Sequence, residues 1–104
     1  MITITPAAAE QIRASAQAGD MEGLAMRIAA RREADGSIHY GMGFDDNAQE
    51  DDIRLHTGGI EILIGEASKI LVDGMTVDYV ELEPGSWQFI FLNPNDANYV
   101  PPAK

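Results

Sequence analysis

Trp87-Gln88-Phe89-Ile90-Phe91-Leu92-Asn93-Pro94-Asn95 reads as a short strand that ends at an Asn-Pro-Asn corner. Alternation puts Trp87, Phe89 and Phe91 on one side of a sheet. Pro94 has no N–H to give a ladder and Asn tolerates turn geometry, so the strand stops there. Large rings on one side of a strand are expected in the core. Exposure of Trp87 would instead make it an interface anchor.

Outward from this strand the chain reads as sheet with little helix. Val77 to Leu82 is a strand bounded by turns at Asp73-Gly74 and Pro84-Gly85. Gly65 to Leu71 fits one or two helical turns, with Ile70 and Leu71 expected inward. Ile53 to Thr57 and Ile60 to Ile64 form a hairpin closed by Gly58-Gly59. Asp45 to Asp52 is an acidic loop. Ile38, Tyr40, Met42 and Phe44 alternate on a strand whose other side holds Gly41 and Gly43, which suggests a close backbone approach or a bulge. Gly23 to Arg32 alternates as the preceding strand, with the turn at Asp35-Gly36. Thr5 and Pro6 start a helix as N-cap and N1, Ala8, Ile12 and Ala16 mark its apolar stripe, and Gly19 is the expected stop. The order predicts an α+β fold with sheet predominant: mixed or antiparallel strands, one N-terminal helix and one short helix. A single domain over residues 1–104 is expected, with residues 96–104 as a loose tail.

The 104 residues carry a net charge of −10, which disfavours nucleic acid and anionic membrane as partners. The aliphatic run Ile62-Leu63-Ile64 is too short to span a bilayer. Met1-Ile2-Thr3-Ile4 shows no basic and apolar leader pattern, so a cytoplasmic protein is expected. The sequence has no Cys. Thiolate nucleophiles, disulfides and thiolate–metal sites are thereby excluded within it. No hydrolase, P-loop or dinucleotide fingerprint appears, and the expectation is a protein that is not an enzyme.

Phe89-x-Phe91-x-Asn93-Pro94-Asn95 resembles the closing segment of the HesB/IscA family, the A-type iron–sulfur carriers. Ile4 to Arg13 is similar to the family's opening Ile-Thr-x-Ala-Ala-x-x-Ile-Arg pattern. Gly23 to Arg27, the acidic loop after Phe44, Leu71-Val72-Asp73-Gly74 and Val77-Asp78-Tyr79-Val80 resemble later family segments in the same order. The resemblance implies the HesB-like fold, protein partners such as an iron–sulfur scaffold or apoprotein, and a homodimer. It also implies cysteines that are absent: Asp35, Val100 and Pro102 stand at the family cysteine positions. Val and Pro have no donor atom, and a carboxylate is a hard ligand poorly matched to a cluster that takes thiolates. No cofactor is therefore expected. The implied function is a cysteine-free relative in iron–sulfur biogenesis that binds proteins and does not carry a cluster.

Other ligand sets are thinner. His39 and His56 are the two imidazoles, and on neighbouring strands they would converge with Asp35 or Glu61 on one metal ion. A small-ligand or mononuclear-metal binder using Asp35, His39 or His56 is thus the alternative function. Counted from Asp45 as an EF-hand, the acidic loop has Glu50 where Gly is needed and His56 where Glu is needed, so it reads as a solvated loop. Arg27 and Arg31 share a strand face and are expected to offset carboxylates on neighbouring strands. Met26, Met42 and Met75 read as core filling.

Overall fold

The structure is a computed structural model and describes residues 2–97 and 99. Strand β1 (Thr3–Ile4) leads into helix α1 (Pro6–Ala18), and the junction is built by Thr5. Its hydroxyl oxygen accepts the Ala8 N–H at 3.2 Å and donates to Asp78 Oδ1 at 2.6 Å, so the N-cap also ties the helix to a distant strand. The helix ends in a Schellman motif: Met21 N donates to Ala16 O and Asp20 N to Gln17 O. The left-handed residue there is Asp20, with φ of 57°, and not the expected Gly19. Asp tolerates this conformation better than most side chains.

Strands β2 (Ala25–Arg32), β3 (Ile38–Asp45), β4 (Ile53–Thr57) and β5 (Ile60–Ile64) form one sheet in the order β3-β2-β5-β4. Helix α2 (Glu66–Lys69) follows, and β6 (Thr76–Glu83) and β7 (Ser86–Leu92) join β1 in a second sheet, β1-β6-β7. Two pairings, β1 with β6 and β2 with β5, are parallel, and the others are antiparallel. The fold is α+β and sheet-dominated, as the order of elements implied. No helix of the described residues is long and apolar enough to cross a membrane.

Core side chains come from α1 and both sheets. Ala8, Ala9 and Ile12 of the helix meet Met26, Ile28, Ile62 and Ile64 of one sheet and Val77 of the other. Alanines on this stripe let α1 lie close over the strands. Gly58 and Gly59 close the β4–β5 hairpin with φ of 61° and 79°. A Cβ on Gly58 would sit 3.3 Å from both Ala9 Cβ and Ile4 O, a close approach not expected at this turn. At Gly41 and Gly43 nothing lies within 4 Å of a built Cβ, and the β2–β3 register runs without a bulge.

The short helix solves an edge problem. β5 ends at Ile64, opposite Ile28, and leaves that edge of β2 without a partner strand beyond that point, while β3 still pairs the other edge. Ser68 of α2 fills the gap: its Oγ accepts Ala30 N–H at 3.0 Å and donates to Ala30 O at 3.3 Å. Ser68 is buried for this reason, and Val72 follows it inward, whereas Ile70, expected inside, is 78% exposed.

Candidate functional site: the corner, the tail seat and the β2–β3 turn

Asn93 has no solvent exposure. Its Nδ2 donates to Leu71 O at 2.7 Å, and its Oδ1 accepts both the backbone N–H and the side-chain Nδ2 of Asn95 at 3.0 Å. Asn95 Nδ2 also donates to Asp73 O at 2.8 Å. The corner is therefore strapped to the Leu71–Gly74 turn by amide side chains, the groups able to donate and accept at once.

Beyond the corner the chain is seated against the β2–β3 turn. Arg32 donates from Nη2 to Asn95 O and from Nη1 to Gly36 O. Ala97 N donates to the same Gly36 carbonyl at 3.3 Å. Asp96 accepts from Tyr40 Oη at 2.8 Å and from Ile38 N at 3.3 Å. Tyr40 in turn lies flat on Phe91, with centroids 4.5 Å apart. Burial, and then the bond to Asp96, push the Tyr40 hydroxyl up to about 12. The start of the tail thus runs beside the turn that holds Asp35.

Asp35 itself is engaged. Its Oδ1 accepts Ser37 Oγ at 2.6 Å and Ser37 N at 3.0 Å, and these two bonds hold its carboxyl below the usual range. Val100 and Pro102, which the resemblance sets with Asp35 at the family cysteine positions, lie outside the described residues. An iron–sulfur cluster, regarded as cargo, finds no thiolate donor in the sequence. Among the described residues no group of three or more His, Asp or Glu is placed to hold a metal ion. The donor chemistry present does not fit a cluster held by this chain alone.

The two imidazoles are not on neighbouring strands. His39 is on β3 and His56 on β4, the opposite edges of the four-stranded sheet. Three strand spacings of about 4.8 Å and a register offset of roughly six residues separate them by on the order of 20 Å. His39 pairs in register with Arg31, and His56 with Glu61. His56 lines a cleft of about 400 Å³ between α1 and the β4–β5 hairpin, with Arg13, Gln17, Phe44 and Ile60.

Arg27 reaches both ends of the acidic loop: Nε pairs with Asp45 Oδ2, while Nη1 and Nη2 take both oxygens of Asp52 at 2.9 and 2.6 Å. Asp52 is 2% exposed, and the guanidinium, followed by the Gln49 N–H, holds its carboxyl down at about 2. Asp45 is lowered for the same primary reason, and the Arg27 guanidinium is raised. The loop is thus clamped internally, in line with the expected offsetting of Arg27. The signal in the sequence was register: Arg27 lies opposite Gly43, two residues before Asp45, on one face.

This fold of two sheets and one long helix is shared by solved proteins of iron–sulfur biology. The crystal structure of IscA with a 2Fe-2S cluster superposes with a TM-score of 0.79 at 27% identity, over 93% of this chain and 88% of that one. That of Escherichia coli SufA, involved in biosynthesis of iron–sulfur clusters, gives a TM-score of 0.74 at 25% identity, over 96% and 86%. Residues 1–100 match the model of the iron–sulphur cluster biosynthesis family, and the chain belongs to that family. It is 32% identical over 94 residues to the iron–sulfur cluster insertion protein ErpA of Stenotrophomonas maltophilia, covering 90% of this chain and 72% of that protein. The ErpA of Xylella fastidiosa is 33% identical, with 90% and 73% covered.

Proposed function

We propose that this protein is a non-enzymatic component of iron–sulfur cluster biogenesis that binds other proteins of that process and does not carry the cluster itself. The observation that carries the reading is a family fold in a sequence without one Cys. Asp35, at a family cysteine position, spends its carboxylate on Ser37. What the chain keeps of its family is the fold, and a scaffold or a cluster-accepting apoprotein is the partner proposed. A cytoplasmic location, a homodimer and a single-domain organisation are parts of the same proposal. Anaerobic reconstitution with iron and sulfide tests it. The expected outcome is no stoichiometric acid-labile sulfide on the chain alone, with retention of a scaffold or apoprotein in co-purification. Stoichiometric iron and acid-labile sulfide on the chain alone would sink the reading, as would failure to retain any such partner.

One observation favours a second reading, small-ligand binding. The cleft beside His56 has an apolar floor of Ile12, Phe44 and Ile60 with Arg13 and Gln17 at its rim. A ligand selective for the native state raises the melting temperature by mass action, so thermal-shift screening of wild type against His56→Ala separates this reading from the first.

A further inference from the structure

The inner face of the β6–β7 hairpin emerges gradually from the core. Register places Val77 opposite Phe91, Tyr79 opposite Phe89 and Glu81 opposite Trp87, and partners in such pairs share a side. Val77 is fully buried, Tyr79 and Phe89 are half-buried, and Trp87 is 52% exposed. The core placement expected for Trp87 therefore fails at the tip of the hairpin, where the helix no longer covers the sheet. Trp87 is nevertheless held in place. Its ring lies over Tyr79 with centroids 5.7 Å apart and planes inclined by 23°. A side chain fixed in this way loses little freedom when a partner covers it.

Helix α1 buries Ala8, Ala9, Ile12 and Ala16 and leaves the flank bearing Ala7, Glu10, Gln11 and Ala14 outside. That flank forms, with Tyr79 and Trp87, a groove of about 470 Å³. Its small residues allow another helix to approach closely. The charges on its side are of one sign: Glu10 lines the groove, and Glu81 shares the side of Trp87, with no Lys or Arg on β6 or β7. The one Arg of α1, Arg13, donates to Gly58 O on the opposite flank. A second copy would bring carboxylates against carboxylates, and nucleic acid or anionic lipid would be repelled.

We propose that this groove receives a basic amphipathic helix of a different protein, its apolar side chains on Trp87 and Tyr79 and its Lys or Arg heads toward Glu10 and Glu81. The proposal rests on the reading of the chain as a protein-binding module and gives that module a surface. Lys or Arg heads also gain from the indole face.

Trp87 is the single tryptophan of the chain, so its fluorescence reports the groove directly. The probe is a synthetic helix of about five turns with Leu on one face and Lys on the other, titrated into the full chain. A saturable blue shift, weakened by added salt and absent with a Leu/Glu counterpart, is expected. Anisotropy of the labelled Leu/Lys peptide should show about tenfold or greater loss of affinity for Trp87→Ala. Ala14→Arg, which fills the groove at an exposed helix position with a good helix former, should lose as much, and melting curves confirm that both variants fold. Equal binding of the Leu/Glu peptide, or unchanged affinity in both variants, overturns the proposal. So does a blue shift that follows protein concentration alone together with a dimer in sedimentation, since the occupant would then be a second copy. If Trp87→Ala still retains scaffold or apoprotein in co-purification, this surface fails while the module reading stands. If wild type retains none, the module reading fails and the peptide titration still judges the groove.

Discussion

Replacing Asn93 with Ala should be the most damaging single polar substitution in the corner. Three hydrogen bonds converge on this side chain, and it has no exposure through which water could replace them. Losing the bond to Leu71 O strands a carbonyl, and losing Oδ1 strands the Asn95 N–H. At about 1 kcal/mol for each bond, with a further penalty for the group left buried, the sum is roughly 3 kcal/mol. For a two-state domain of this length that corresponds to a fall in Tm of roughly 15 °C. Urea titration followed by far-UV circular dichroism reads it as a lower midpoint with an unchanged slope. Asn95→Ala, at an exposed position, should cost about 1 kcal/mol by the same reckoning. Asn93→Asp adds a signature. Its carboxylate would replace the donor to Leu71 O with an acceptor, and burial without a cation raises the folded-state pKa of that new acid above its unfolded value. The stability of this variant should therefore recover as pH falls toward about 4 and be lost as pH rises. A loss below about 1 kcal/mol for Asn93→Ala, or one no larger than that of Asn95→Ala, would refute the strap.

The remaining predictions concern the scaffold behind the corner. Ser68→Ala removes the hydroxyl that pairs with both backbone groups of Ala30, and should cost about 1–2 kcal/mol in the same urea assay. Gly58→Ala forces a side chain into the left-handed region and against Ala9 and Ile4, with an expected cost of about 2 kcal/mol. The Arg27 clamp has a pH signature. Because Asp52 is held down at about 2 and Asp45 is also lowered, their contribution is full above the ordinary carboxylate range and is lost as pH falls toward 2. Arg27→Gln should shrink that acid-side decline, and should speed hydrogen exchange of the Gln49 amide, which is bonded to Asp52.

Local chemistry was legible in the sequence wherever a residue acts on its own neighbours. Thr5-Pro6, Gly58-Gly59, Pro84-Gly85 and Asn93-Pro94 each set a turn or cap within a few residues, and each stands where expected. What was not legible depends on how far one element reaches over another. Alternation assigns Trp87 to the inner face of β7, which is correct, but the extent of helix covering that face is a tertiary quantity. Ile70 is exposed because Ser68, a polar residue, is required inside to finish β2. The two histidines could be read as neighbours only until the strand order was known, and β2 and β5 stand between their strands. At the candidate site, the absence of Cys was readable. The engagement of Asp35 by Ser37 and the ties from Arg32 to the tail were not.

The corner that most strongly marks the family is, in this chain, a folding device before it is anything else. Its amides satisfy the carbonyls of Leu71 and Asp73, and the residue after it satisfies Tyr40 and Ile38. None of these bonds involves sulfur or iron. The Asn-Pro-Asn motif can therefore be required for stability in a chain that has lost every thiolate, and its presence alone says nothing about cluster carriage. The same separation explains how the family fold and a sequence free of Cys occur together. The sheets, the helix and the strap are held by burial and hydrogen bonding, neither of which needs a thiolate.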